Sequence, residues 1–441
     1  MTRDSFVRLA SGVERVGSEP ATLALVTVGY TAAVAVTLRY APAYLLALGG
    51  GPVALGAFGL VVLGVPVVYP ALSAEDTALS GSFPAVTPLA LVAAFGLLVW
   101  LLAPGIGGVN GHVLPASAWV LLVAPLVAVW PTAGYDAGLR AIRAVIGSDA
   151  GGGGDTLVRI VSAASTARLA RPMVLAFAFA VSALTDRVTV VVGLLLAVTV
   201  TVGLGVTMVS VALNGRGGRL RGDDRPSLAA PDRSARTLVG RLQTAPRPIR
   251  TALVADVAGG LSVAAFVAFA PVLVLAVRTP AERVLWLDVG PVAAFALLLG
   301  LEAVAAAVAP AAGEVLLAAT SRRATLALGL LAGVVAPLAL VEPTPTIATD
   351  AVAFGLYGTR RLADPARRRL VDSLDPELAV AYRLAQPAAR ALAVVPVTAA
   401  YALAPEFAFR LAAFVAAVGV YELYRRQIRA AIGRVARGVA E

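Results

Sequence analysis

Apolar residues fall in long unbroken runs, and these runs, more than any short motif, predict the elements of the chain. Twelve stretches come close to the ~20 helical residues needed to cross a bilayer core of ~30 Å. They cover residues 21–48, 52–70, 84–102, 114–132, 166–184, 188–213, 250–277, 286–317, 325–341, 345–362, 378–403 and 405–424. The fifth and tenth are the weakest, each short and flanked by Arg. Residues 1–20 carry Arg3, Arg8, Glu14, Arg15 and Glu19 and read as a short polar or interfacial helix. No cleavable signal peptide is expected, because the first apolar run begins after Pro20 and is too long for a signal core.

The widest polar break runs from Asn214 to Arg250, at the middle of the 441 residues. It holds nine Arg (Arg216, Arg219, Arg221, Arg225, Arg233, Arg236, Arg241, Arg247, Arg250) against Asp223, Asp224 and Asp232. Such a stretch has no apolar face to bury and is expected to be disordered or to lie on a surface. It divides the chain into a six-helix bundle at 1–213, a basic cytoplasmic linker at 214–249 and a second six-helix bundle at 250–441.

Composition agrees with the pattern. The chain is 59% hydrophobic and 14% charged, with a mean hydropathy of +0.86. Soluble domains are closer to a quarter charged, so this is a polytopic membrane protein. With no Cys there are no disulfides or thiolate metal sites, and His112 alone cannot form a His cluster. No cofactor is expected. The net charge of +10 would suggest nucleic acid in a soluble protein. Here the Arg are sorted by loop, so the partner is the lipid bilayer and not nucleic acid.

Placing the N-terminus inside puts 29 of the 36 Arg on inner segments and adjoining span ends. Outer loops then hold Arg187, Arg278 and Arg283, and Arg39, Arg383, Arg390 and Arg410 fall within spans. Positive charge stays inside. A cell-membrane protein with both termini cytoplasmic, and a monomer, is expected. One inner connection, between the second and third spans, carries Glu75 and Asp76 but no Arg.

The halves share weak echoes. Arg168-Leu169-Ala170-Arg171-Pro172 returns as Arg383-Leu384-Ala385-Gln386-Pro387, Leu25-Val26 as Leu253-Val254, and Tyr135 as Tyr357. Their similar offsets point to a parallel six-plus-six duplication with a substrate site between the halves.

These features carry a resemblance. Phe354-Gly355-Leu356-Tyr357-Gly358, then Asp364-Pro365-Ala366-Arg367, Leu370-Val371-Asp372, Asp375-Pro376-Glu377 and Ala381-Tyr382 form one patch. Pro42-Ala43-Tyr44-Leu45-Leu46 leading into Gly49-Gly50-Gly51-Pro52 and Gly56-Ala57-Phe58-Gly59 form a second. Ala252-Leu253-Val254-Ala255-Asp256 is a third. Together they resemble the major facilitator superfamily of secondary transporters. The resemblance implies an all-α fold of twelve transmembrane helices, in two bundles related by a pseudo-two-fold axis. The family's loop between helices 2 and 3 carries an Asp-Arg pair that latches the cytoplasmic faces. Here it reads Tyr69-Pro70-Ala71-Leu72-Ser73-Ala74-Glu75-Asp76, and its second-half counterpart keeps only Ser321-Arg322-Arg323 after Gly313-Glu314.

Ionisable groups inside a span cost about 2.5–3.5 kcal/mol each on insertion scales and face the bundle interior. Glu302 lies 11 residues past Pro291, about 17 Å into its helix. It reads as a substrate contact or proton carrier, or else as a structural hydrogen-bonding group. Arg390, also near mid-depth, and Arg39, before the turn at Gly49, could clamp an anion bidentately. For Arg39, snorkelling outward carries more weight. A Glu302–Arg390 ion pair is the structural alternative. Asp256, Asp350, Arg322, Arg323 and Arg367 are read as structural or gating residues. Of these, Asp256 is expected to pair with basic loop residues and Asp350 to be solvated. Asp223-Asp224, Gly151–Gly154 and His112 read as a solvated charge cluster, a flexible linker and a solvated outer-loop group.

The expected function is secondary active transport of a small-molecule substrate by alternating access, with a proton as the most plausible coupling ion. The alternatives are a transporter-derived scaffold or interaction protein, favoured by the missing loop signature, and a membrane lipid transferase, for which only Asp223-Asp224 speaks. An enzyme is not expected.

Overall fold

In the computed structural model the described residues are 18–73, 86–106, 114–147, 164–216, 235–278, 282–284, 287–342 and 346–438. Glu75, Asp76, His112, Gly151–Gly154 and Asp223-Asp224 lie outside them.

Apolar runs become helices because a backbone away from water must satisfy its own hydrogen bonds. The first half of the chain holds α1 (Ser18–Ala47), α2 (Pro52–Ser73), α3 (Val86–Ile106), α4 (Ala116–Val129), α5 (Tyr135–Gly147), α6 (Ala164–Ser182) and α7 (Val188–Arg216). After α8 (Ala235–Thr244) come α9 (Arg247–Ala268), α10 (Pro291–Ala319), α11 (Arg322–Ala339), α12 (Ile347–Thr359), α13 (Asp364–Asp372), α14 (Pro376–Leu403) and α15 (Pro405–Gly438). Among the described residues, eight helical spans are long and apolar enough to cross a membrane, and Pro52–Val68 and Ala170–Ser182 are shorter apolar helices.

Local chemistry sets the ends. Gly49 takes φ +84°, its N–H reaches the Leu46 carbonyl at 2.9 Å, and the Gly50 N–H reaches that of Leu45 at 2.8 Å. This is a Schellman cap, which needs a left-handed residue at that position. The Ser321 hydroxyl caps α11, Thr346 and Thr349 form a capping box on α12, and the Asp375 carboxylate accepts from the Leu378 N–H at 2.9 Å.

Three expectations need correction. The fourth run does not stop at Thr132: a π-helical turn at Trp130–Gly134, containing Pro131, carries α4 directly into α5. The eighth does not begin at Trp286. A two-stranded hairpin, β1 (Glu282–Val284) against β2 (Leu287–Val289), precedes Pro291 at the first position of α10. Nor is the whole basic linker without structure: α7 runs to Arg216, and α8 packs on α14 with an Arg241–Glu377 ion pair. Leu242 joins Ile249, Leu378 and Tyr382 in a small apolar cluster, which supplies the buried face the linker was expected to lack.

Packing repeats between the halves. In the first, α1 lies on α6 and α7, α3 on α4 and α7, and α2 on α4. In the second, α9 lies on α14 and α15, α11 on α12 and α15, and α10 on α12. The halves meet along two seams, α2 with α14 and α6 with α10. On the first seam a Cβ at Gly56 would collide with Thr398 of α14, and one at Gly59 would lie 3.3 Å from Val394 of α14 and 2.9 Å from Ala268 of the adjoining α9. Small residues there bring the helices into close contact. One apolar core runs without interruption from Leu23 to Ala412 across both halves.

Candidate functional site

Arg39 and Glu302 meet where the halves join. Arg39, on α1, points inward, which corrects the expectation that it snorkels outward. Its Nη2 lies 2.6 Å from Glu302 Oε2 on α10, and its Nη1 donates to the Phe266 carbonyl of α9 at 3.1 Å. The side chains are only 15% and 13% exposed. Arg39 Nε is buried with no hydrogen-bond partner among the described residues. A cavity of about 20 Å³, bordered also by Arg171 and Leu175 of α6, adjoins the pair.

Aromatic rings wall this centre. Phe266 stacks on Tyr357 at 4.0 Å and 6°, and the Arg360 guanidinium lies 3.6 Å from the other side of the Tyr357 ring system. Arg39 sits 5.6 Å from the same ring. Phe295 packs edge-on against both Tyr40 and Phe354. Guanidinium groups over aromatic faces gain cation–π attraction, strongest where water is excluded.

The alternative of a Glu302–Arg390 pair is not realised, since Glu302 turns to Arg39. Arg390 instead faces a second polar centre, lying within the second half. There Asp256 of α9 is 8% exposed and accepts from Arg367 Nε and Nη2, both at 2.7 Å, through Oδ1. Its Oδ2 accepts from the Tyr382 hydroxyl at 2.6 Å and Gln386 Nε2 at 2.7 Å, one turn apart on α14. Arg367 also donates to Asp364 at 3.1 Å, and Arg361 lies 3.6 Å from that carboxylate. Burial alone would lower the Arg367 pKa; the Asp256 and Asp364 carboxylates outweigh it, and the pKa is raised. Asp256 thus pairs with a basic residue of the α12–α14 connection, as expected.

Asp350 departs from expectation. It is fully buried and paired with Arg278, whose Nη2 also donates to the Glu342 carbonyl at 3.1 Å. A carboxylate lodged beside the chain's own cation need not reach solvent. Arg322 and Arg323 lie exposed at the start of α11, beside an open cleft of about 280 Å³ that Arg247 and Arg425 also border. Among the described residues no three or more His, Asp or Glu gather to hold a metal.

Sequence reasoning missed Phe266, Arg360, Arg361, Tyr382 and Gln386 as site residues. For two of them a signal existed: Tyr382 and Gln386 stand four apart, on one face of a helix already carrying Arg390.

No family model matches the chain, and no curated protein matches it in sequence. Solved structures do match in shape. A mutant of the nucleoside transporter NupG superposes with a TM-score of 0.69 at 9% identity, over 92% of this chain and 99% of that one. A mutant peptide transporter POT in complex with alafosfalin gives 0.62 at 14% identity, over 93% and 94%. The xylose transporter XylE from E. coli, in a partially occluded inward open conformation, gives 0.55 at 12%, over 92% and 96%. The chain has the major facilitator fold. That fold, with eight membrane-length apolar helices among the described residues, makes this a multi-pass membrane protein.

Proposed function

We propose that the protein is a secondary transporter that moves a small polar solute by alternating access between two six-helix bundles. The bundles comprise residues 1–213 and 250–441, and residues 214–249 join them on the cytoplasmic side. The matched packing within each half supports the symmetry, because each pairing in the first half has its counterpart six spans later. The crowding of Arg at one end of the helices supports cytoplasmic termini.

The observation that carries the reading is the Arg39–Glu302 pair. It joins the first helix of one bundle to the second of the other at about mid-depth, between the two seams. An ion pair across a joint that must open can exchange its partner for a polar substrate group. The nucleoside, peptide and xylose transporters of the same fold make those three solute classes the first to test. Glu302 is the candidate for proton coupling and Arg39 for anion contact.

A second reading, a transporter-derived scaffold, is favoured by the single core crossing both halves and by the cavity of only about 20 Å³ beside the pair. Purified protein in vesicles, offered labelled nucleosides, dipeptides and pentoses with and without a pH gradient, separates the two. Flux above empty vesicles for any class supports the transporter. Its absence for every class, with and without the gradient, leaves the scaffold.

A further inference from the structure

The second half holds a cavity of about 250 Å³ between α9, α11, α13 and α14 and the turn at Arg360–Ala363, with its lining drawn from the second half alone. Its charged lining is Arg360, Arg361, Arg367 and Arg390 against Asp256 and Asp364. Both carboxylates are already engaged, Asp256 by Arg367, Tyr382 and Gln386, and Asp364 by Arg361 and Arg367. Arg360 lies on the Tyr357 ring and donates to the Tyr357 carbonyl at 2.6 Å, and has no carboxylate partner among the described residues. Arg390 has no hydrogen bond or ion pair among them. The lining therefore carries two more cations than anions.

Arginine cannot shed its proton to relieve this, because its pKa stays above ~12 in proteins. Arg360 and Arg390 are half-buried, and a charge partly withdrawn from water without a partner is disfavoured. Gly259, Gly329 and Gly333 line the cavity: a Cβ at Gly259 or Gly329 would press on Leu330 or Ala363, and only Gly333 faces open room. The Ser262 hydroxyl is held by the Gly333 carbonyl at 2.7 Å, leaving the guanidinium groups as the donors.

We propose that this cavity is a binding site for a dianionic oxyanion of the phosphate or phosphate-monoester class, held by Arg390 and Arg360. Planar guanidinium groups bind such oxygens through paired, charge-assisted hydrogen bonds. The site lies within one half and does not depend on the transport reading; the protein could bind the anion and carry nothing.

The test uses full-length protein in phosphatidylcholine nanodiscs. Thermal unfolding and calorimetric binding are measured with inorganic phosphate, with potassium chloride of matched ionic strength, and in nanodiscs containing phosphatidic acid. Phosphate should raise the midpoint where chloride does not, with binding detectable at about 10 mM anion, enough to reveal a Kd of ~1 mM. A response to free phosphate names a soluble anion, and a response to phosphatidic acid alone names a lipid headgroup. Arg390→Gln should weaken binding at least about tenfold, and Arg390→Lys, which keeps the charge but loses the fork, by less. Without ligand, Arg390→Gln should unfold no earlier than the parent, because it removes a surplus cation; a purely structural arginine would do the reverse. No response to phosphate or phosphatidic acid, or an equal response in Arg390→Gln, overturns the proposal.

Discussion

Two buried polar centres, both anchored on the second half, are built on opposite plans. The Arg39–Glu302 centre joins different halves through one ion pair, and beside it lie the Phe266 carbonyl, the Tyr357 ring, Arg360 and Arg171. The Asp256 centre belongs to one half, and its carboxylate receives four hydrogen bonds from three side chains. On the transport reading proposed above, a joint that parts would be served by a single contact that can be exchanged, and a hub that holds a helix bundle and its connecting loop in register by redundant ones. The same chemistry, arginine on carboxylate, would then serve movement in one place and rigidity in the other.

Breaking the simpler centre should have the larger effect. Glu302→Gln leaves the Arg39 guanidinium buried with the Phe266 carbonyl and the Tyr357 ring beside it. Loss of one partner of a buried pair typically costs about 3–5 kcal/mol. Chemical unfolding in detergent should show a loss of that size, and exchanging the two residues, Arg39→Glu with Glu302→Arg, should recover much of it. An unchanged midpoint in Glu302→Gln would mean that water reaches Arg39, and the contrast between the two centres would fail.

Asp256→Asn tests redundancy. Arg367 keeps Asp364, and the Asn carbonyl can still accept from Tyr382 or Gln386. The loss should therefore be smaller, about 1–3 kcal/mol, the usual cost of an imperfectly satisfied buried group. It should be local as well. Hydrogen exchange should rise in α13 and at the start of α14 before it rises in α1 or α10. Equal acceleration throughout the chain would show that the hub holds the whole protein and not one half.

How much of this was legible in the sequence follows from what a membrane leaves to be read. Apolar run length gave most of the described helices to within a few residues, because length is set by bilayer thickness. It misplaced the ends of the fourth, the eighth and the twelfth, whose helix runs on to Gly438. Pro131 reads as a stop, yet a π-helical turn absorbs it, and Trp286 is apolar enough to join a run that begins as a hairpin. Depth was legible for Glu302, Arg39 and Arg390, since it is a count along a helix. Azimuth was not. In a soluble helix the polar stripe marks the outward face; here lipid and core are both apolar, so nothing in α1 or α14 tells which side Arg39 or Arg390 presents. That missing angle is why the ion pair weighed as the alternative for Glu302 was one with Arg390 and not the one with Arg39 that forms. Asp256 fared better, because it lies near a basic connection and its partner could be sought in a loop.

The smallest predicted effect calibrates the other two. Glu314 and Arg369 form an ion pair at 2.8 Å, a length comparable to that of the Arg39–Glu302 pair, and link α10 to α13. Their side chains are about half exposed, at 51% and 50%. Water screens such a pair, and either charge is solvated when the other is removed, so exposed pairs contribute about 0.2–1 kcal/mol. Glu314→Gln should shift the unfolding midpoint by no more than that, and added salt should erase most of the shift. Glu302→Gln, shielded by the Phe266 and Tyr357 rings, should keep its larger effect at the same salt. Equal salt sensitivity in the two variants would mean that the centre between the halves is wet, and that a solute large enough to displace Glu302 from Arg39 already has a path to it.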